Sequence, residues 1–315
     1  MPKTRKKKIL VTGSAGYIGS HIINYLNHRG YEVHGLDRNK TNINVKKEYV
    51  IDLEKVNNLN YKIKYDCIVH LASYTLPRES FSDVDKYIYG NLKMTYNLLD
   101  TFKNFSKFIF FSTANLYSPS KNISEKSLIK IQSPYAESKL FNEKYLYHLS
   151  KDHKSKFAIF RLFNAAGGDI FNQLKYKLKN KNNLLISSLI KSINKNKNFY
   201  LNGNKHNTKD GTCIRDFIHV YDIARAVELY VKKKVKNNYS LYNLGSSKGY
   251  SVNDVLDKFQ KLSHQNLKIK VRASQRGDPS IIISNCSKIR KELNWKTHYS
   301  DISTILKSSL DNFKI

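Results

Sequence analysis

Three cysteines in 315 residues, at positions 67, 213 and 286, are odd in number and far apart. Neither a disulfide framework nor a zinc site with paired spacing can be built from them, and a reducing compartment, the cytoplasm, is expected. No apolar run approaches the ~20 residues needed to cross a bilayer, so a soluble protein without a membrane partner is expected. The basic opening MPKTRKKK leads into Ile9-Leu10-Val11, which Thr12-Gly13 cuts short of the ~7–15 residues of a secretory core. It reads as a first strand. There is no internal repeat and no Pro- or Ser-rich linker, so any lobes should pack closely. Acids are scarce too: 25 Asp+Glu against 55 Lys+Arg leave a net charge of +30. A nucleic-acid surface is one reading of such an excess. Here the lysines are scattered over every segment and arrive with abundant Asn, Ile and Tyr, as A/T-rich coding produces, and no nucleic-acid partner is expected. The charge should still draw in anionic small molecules.

What is present is 40% hydrophobic residues in an ordered alternation. Strand-length apolar runs (Ile9–Val11, Glu32–Leu36, Cys67–Leu71, Phe108–Phe111, Phe157–Phe163) alternate with segments of helical period (Ile18–His28, Tyr87–Phe102, Tyr135–Leu149). This is the β-α-β pattern of an α/β fold, a doubly wound parallel sheet of Rossmann type covered by helices on both faces. Continuous runs such as Phe108-Ile109-Phe110-Phe111 suit strands buried on both sides. Regularity drops beyond Gly167. The reading is a dinucleotide-binding domain over 1–165 and a smaller substrate-binding lobe over 166–315, with some segments of the latter returning to the first domain.

In Val11-Thr12-Gly13-Ser14-Ala15-Gly16-Tyr17-Ile18-Gly19 three glycines follow a strand and open a helix. Gly13 permits a tight turn, Gly16 lets backbone approach a pyrophosphate, and Gly19 lets the helix lie close to the strand, whose neighbouring helix N-terminus favours anions. The spacing is G-x-x-G-x-x-G, a variant of the simplest fingerprint. Eighteen residues after Gly19, Asp37 ends the next strand, placed for a ribose diol. An acid there disfavours a 2′-phosphate, so NAD is expected over NADP, although Arg38 follows it. Farther on, Pro134 suits a first helical position, which puts Tyr135 and Lys139 four apart on one face. Upstream a strand ends in Ser112-Thr113. An ammonium and a cationic nicotinamide ring beside Tyr135 would pull its phenol from ~10 toward neutrality, where it can act as a base, with Thr113 holding the same substrate hydroxyl.

TGSAGYIGSH, FIFFSTANLY, SPYAESK, RLFNAAGG, DGTCIRDFIHVYDIA, YNLGSSKGYSV and RGDP followed by LNW together resemble the extended short-chain dehydrogenase/reductase superfamily. Within it they are most similar to the NAD-dependent nucleotide-sugar epimerases and dehydratases of the UDP-glucose 4-epimerase type, over about Lys8 to Lys307. The resemblance implies that Gly13, Gly16, Tyr17, Ile18, Gly19 and Asp37 hold the adenosine half of NAD, Asp52 and Leu53 the adenine edge, and Ala72, Asn91, Tyr135 and Lys139 the nicotinamide half. It implies Tyr135, Lys139 and Thr113 as catalytic residues, and Thr113, Asn164, Asn183, Leu184, Arg215, Arg276 and Asp278 as the grip on a nucleotide-diphosphate sugar. A guanidinium beside a cleft does suit a diphosphate; an ion pair of Arg215 with Asp216 is the plain alternative. The chain departs from the family pattern in places. Ala114-Asn115 after Thr113 replaces the Asp-Glu pair of dehydratases, which points to an epimerase. Asn202, with Tyr200 nearby, stands where the epimerases stack an aromatic ring on uracil. Arg276 sits one place nearer its glycine than usual, and Ile282 falls at the position that faces the sugar's 2-substituent. The family also implies a homodimer through the helices around Tyr87–Phe102 and Tyr135–Leu149; Tyr96, Leu98, Leu99, Phe102 and Phe105 offer apolar residues for that contact, the alternative being that they all face the sheet.

Overall fold

The computed structural model describes residues 5–56, 59–171, 173–174, 184–274 and 278–312. The first part runs β1 (Lys8–Thr12), α1 (Tyr17–His28), β2 (Glu32–Asp37), β3 (Lys47–Val50), β4 (Cys67–His70), α2 (Asn91–Thr101), β5 (Lys107–Thr113), β6 (Ser120–Ile123), α3 (Pro134–Asp152), β7 (Lys156–Leu162) and β8 (Asn164–Ala166). Then follow α4 (Leu185–Asn194), β9 (Phe199–Asn202), β10 (Ile214–His219), α5 (Val220–Lys232), β11 (Tyr239–Leu244), β12 (Gly249–Ser251), α6 (Val252–Ser263), β13 (Ile269–Arg272), β14 (Ile281–Ser284), α7 (Ser287–Leu293) and α8 (Ile302–Asn312). No helix among the described residues is long and apolar enough to cross a membrane.

Seven strands form one sheet in the order β11-β7-β5-β4-β1-β2-β3, and every pairing in it is parallel. The expected doubly wound sheet is there. Alternation along each strand sorts side chains onto two cores. Ile9, Val11, Val69, Ile109 and Phe160 pack with Ile22, Ile23 and Leu26 of α1 and with Ile223 and Val227 of α5. Leu10, Ile68, Phe108, Phe110 and Ile159 pack on the other face with Met94 and Leu98 of α2 and Leu146 of α3. Strand order reverses between β1 and β4, and the crevice outside the carboxyl ends of those strands is where such sheets take a ligand.

A smaller sheet, β12-β10-β14-β6 with β8 beside β10, is drawn from both halves of the chain. A third apolar cluster, with Leu189, Ile190, Phe217, Val255, Phe259 and Ile305, sits under it. Buried carboxylates fasten these pieces. Asp216 accepts from the amides of Ser246, Ser247 and Ser284. Asp222 accepts from the amides of His298 and Tyr299 and from the Ser300 hydroxyl. Each replaces lost hydration with several donors, the condition for burying a carboxylate.

The expected dimer contacts require correction. Leu98 and Phe102 are fully buried and Phe105 nearly so, all in the core against the sheet with Leu99 packed on it; of the five only Tyr96 is exposed, at 56%. The period of α2 aims those apolar positions inward.

Candidate active site

Gly13 closes β1 at φ +69°, and a Cβ there would lie 3.0 Å from the Ala72 amide nitrogen, so this close approach of two loops admits only glycine. The Gly16 amide donates to the Gly13 carbonyl at 3.0 Å. A Cβ on Gly19 would run into that same carbonyl. The loop is thus shaped by the absence of side chains, and α1 begins at Tyr17 with neither a side-chain cap nor an acid in its first turn. Its leading amides and positive dipole end are left for an anion. Ile18 packs toward the sheet, and the Tyr17 hydroxyl donates to the Gly167 carbonyl, tying the loop to the chain that leaves β8.

The carboxylate of Asp37 lies against the loop, accepting from the amides of Ala15 at 3.1 Å and Asn39 at 3.0 Å. Beyond β3, Asp52 accepts from the Glu54 amide at 3.1 Å. Leu53 is buried, with its carbonyl accepting from Asn97. Asn91 accepts from the Tyr74 amide at 2.7 Å and donates to the Tyr74 carbonyl and to Ser138, so it clamps the segment after β4 to α3. A glycine turn of this shape, an unfilled helix N-terminus and a flanking carboxylate fit a dinucleotide with a free ribose diol.

Ser133 caps α3 and Pro134 opens it, which fixes Tyr135 and Lys139 on the helix face turned to β5. Both are buried, at 8% and 3% exposure. The Lys139 ammonium donates to Ser73 Oγ at 2.9 Å and the Phe111 carbonyl at 3.0 Å. Thr113 accepts from the Asn115 amide at 3.1 Å, and its side chain hydrogen-bonds the Tyr135 phenol. Tyr135 and Thr113 therefore meet, with Lys139 one turn along the same helix and bonded to the strand that ends in Thr113. The expected lowering of the phenol is reversed in the protein by itself: burial pushes Tyr135 up to about 12, against a downward pull from Thr113. Burial also pushes Lys139 down to about 7, opposed by Glu143. Desolvation disfavours both charged forms where no cofactor charge is at hand.

Sequence reading passed over the support of this pair. Glu143, four residues after Lys139, is buried and accepts from Arg161 at 2.6 and 2.9 Å. Arg161 also donates to the Tyr117 hydroxyl at 2.9 Å, which donates in turn to Asn243 at 2.7 Å. The 135, 139, 143 spacing was its visible signal.

In the smaller lobe Arg215 pairs with Asp278 and donates to its neighbour's carbonyl at 2.9 Å. The alternative pairing with Asp216 does not occur, because that carboxylate is buried among serines. Asn164 donates to the Asp216 carbonyl at 3.2 Å, and Leu184 is exposed just before α4. Asn183 and Arg276 lie outside the described residues. Tyr200 and Asn202 share the outward face of β9, with the Arg272 guanidinium 3.4 Å from the Tyr200 ring centroid. Ile282, paired with Arg215 in the sheet, packs with Ala114 and Phe163, the neighbours of Thr113 and Asn164. That small cluster joins the tyrosine site to the Arg215 strand. A separate cleft of about 640 Å³, ringed by lysines including Lys64, Lys154 and Lys234, opens where β5 and β7 begin and holds none of these residues.

The model of the NAD dependent epimerase/dehydratase family matches residues 9–245. UDP-glucose 4-epimerase of Mycoplasma pneumoniae is 31% identical over 314 residues, covering 92% of each chain. Among solved structures, UDP-glucose 4-epimerase from Bifidobacterium longum in complex with NAD+ and UDP superposes with a TM-score of 0.85 at 28% identity, over 97% of each chain. The UDP-Glc/GlcNAc 4-epimerase from Campylobacter jejuni gives 0.78 at 32% identity, covering 97% of this chain and 98% of that one. With the glycine loop, the buried Tyr135 and Lys139, and a match across most of its length, the chain belongs to the NAD dependent epimerase/dehydratase family.

Proposed function

We propose that the protein is a nucleotide-sugar 4-epimerase acting on a UDP-hexose of the glucose/galactose type. The observation that carries this reading is the hydrogen bond of Thr113 to the buried Tyr135 phenol, with the buried Lys139 one turn along the same helix, in a fold whose glycine loop suits NAD. Relatives named UDP-glucose 4-epimerase support the substrate class. Gly13, Gly16, Tyr17, Ile18, Gly19, Asp37, Asp52 and Leu53 would hold the adenosine half of NAD, with Ala72 and Asn91 beside the nicotinamide. Bound NAD supplies a reversible two-electron acceptor for the sugar's C4 carbon. Tyr135 takes the C4 hydroxyl proton and later returns it, and Thr113 holds the same hydroxyl. Two of the three Lys139 protons are bound by Ser73 and Phe111; the third is left for a ribose hydroxyl, an acceptor that would keep the ammonium charged and favour the phenolate. Arg215 grips the diphosphate, for which it gives up its pairing with Asp278, while Asn164, Leu184 and Asp278 line the rest of the sugar-nucleotide site. Asn183 and Arg276, outside the described residues, are assigned to the same grip by resemblance.

The domain assignment follows: the large sheet holds the cofactor and the smaller lobe the sugar nucleotide. A homodimer packing α2 against α3 is part of the proposal, now through exposed Tyr89, Tyr96 and Phe141; sedimentation at the mass of one chain at micromolar concentration would refute it. Three free, buried cysteines suit a reducing cytoplasm.

The test is to identify the cofactor released from purified protein, then offer UDP-, GDP-, dTDP- and CDP-sugars and separate the products by stereochemistry. Interconversion of C4 epimers without net reduced cofactor is expected. Stoichiometric release of reduced cofactor would make the protein a dehydrogenase, and no turnover of any sugar nucleotide would refute the reading.

A further inference from the structure

Behind the loop that follows β4, a run of buried hydrogen bonds has only one consistent direction. Thr12 Oγ1 accepts from the amides of Leu71 and Ala72, each at 3.1 Å. With both lone pairs taken, its hydroxyl must donate, and the partner is His70 Nδ1 at 2.8 Å. Nδ1 therefore carries no proton, and the ring proton sits on Nε2. Nε2 lies 3.1 Å from Thr95 Oγ1, whose own hydroxyl is committed to the Asn91 carbonyl at 3.2 Å. Asn91 donates to Ser138 Oγ at 2.9 Å, and Ser138 donates to the Tyr135 carbonyl at 2.8 Å. Thr12, His70, Thr95, Asn91 and Ser138 are each at most 2% exposed. Burial, reinforced by the Lys139 charge, pushes the imidazole down to about 3, so the ring is neutral at working pH.

We infer that His70 is a positioning residue for the epimerase reaction: its fixed Nε2–H tautomer locks the Leu71–Ser73 loop to the catalytic helix. This rests on the roles of Tyr135 and Lys139 given above. Both ends of the run bear on that pair. One end fixes the loop carrying Ser73, the partner of the Lys139 ammonium, and Ala72. The other reaches the Tyr135 carbonyl in the first turn of α3. Reversing one donor along the run would leave two buried hydrogens facing each other and both groups unsatisfied.

The test uses the full chain with its bound cofactor, labelled with ¹⁵N-histidine, alongside Thr12→Val, Thr12→Ser and His70→Phe. The His70 resonances, identified by their loss in His70→Phe, are expected to show a bare Nδ1 and a protonated Nε2. Thr12→Val keeps the side-chain shape and removes both the donor to His70 and the acceptor of the Leu71 and Ala72 amides. With Nδ1 left bare and only Thr95 still holding the Nε2 proton, it is expected to shift the Nδ1 resonance and lower kcat about 10-fold, with KM within about 2-fold, at a temperature where the variant is folded; one buried hydrogen bond has that size. Thr12→Ser should restore both. A protonated Nδ1 in the wild type, or folded Thr12→Val with wild-type kcat, would overturn the inference. A wild type that turns over no sugar nucleotide would instead refute the proposed function, and the tautomer would still test the run itself.

Discussion

Glu143→Gln puts the support of the catalytic helix to a direct test. Glu143 and Arg161 are each 4% exposed in their side chains and paired at 2.6 Å. Glu143 is the sole acid in contact with this guanidinium among the described residues, and the other side-chain partner of Arg161, the Tyr117 hydroxyl, is neutral. Removing one charge of a buried pair strands the other, at a cost of about 3–5 kcal/mol. At ~2.1 cal/mol/K of unfolding entropy per residue, that is a fall of roughly 5–8 °C in Tm for a chain of this size. The same substitution removes the one charge that raises Lys139, so the ammonium should titrate lower still and turnover should fall with stability. Thermal unfolding by circular dichroism, with turnover measured well below the transition, reads both. Glu143→Leu with Arg161→Met removes both charges and keeps the volume, and should recover most of the Tm but not the effect on Lys139. A shift below about 1 °C in Glu143→Gln would refute the buried-pair argument.

Tyr135→Phe should keep the cofactor and lose ~10²–10⁴-fold in turnover, the usual range for a general base; more than half the wild-type rate would remove Tyr135 from the mechanism. Ultraviolet titration of the cofactor-free protein, taken as a difference from Tyr135→Phe, should place this phenol near 12. Burial penalises the phenolate, so activity limited by Tyr135 should rise with pH, and a cationic ring nearby should bring that rise down toward neutral pH. Unchanged titration in the loaded protein would contradict the role given to Lys139 and the cofactor charge. Ile282→Ser should raise the ratio of N-acetylhexosamine to hexose turnover about 10-fold, within the ~1–3 kcal/mol of a relieved packing clash, while a buried Ile cut back this far costs ~2–5 kcal/mol of stability. Equal changes for both sugars would show that Ile282 does not face the 2-substituent.

Local chemistry was legible in the sequence. Gly13, Gly16 and Gly19 announce their loop because the backbone path itself demands glycine, and Tyr135 and Lys139 announce theirs through helical spacing after Pro134. Five of the seven strands of the large sheet emerge within a residue or two of their apolar runs, β5 extending from Lys107 to Thr113 around Phe108–Phe111, whereas β3 and β11 had no such run to mark them. What could not be read is what the fold brings together from afar. Arg215 finds Asp278 across 63 positions and Thr12 finds His70 across 58, and no local pattern marks either. The small sheet joins β6 to β14 and β8 to β10, short strands whose burial comes from one another. The outward face of α2 was misread for the same reason: Leu98 and Phe102 look like surface apolar residues until the sheet they cover is in place.

The central claim, reversible chemistry at C4 without net redox change, is most directly tested with UDP-glucose carrying deuterium at C4 of the sugar. Incubated with the purified protein in ordinary water, it should yield the C4 epimer with the deuterium still at C4 and no accumulation of reduced cofactor. An epimer that has exchanged its label for solvent hydrogen, or an epimer formed only when reduced cofactor is released, would contradict the account.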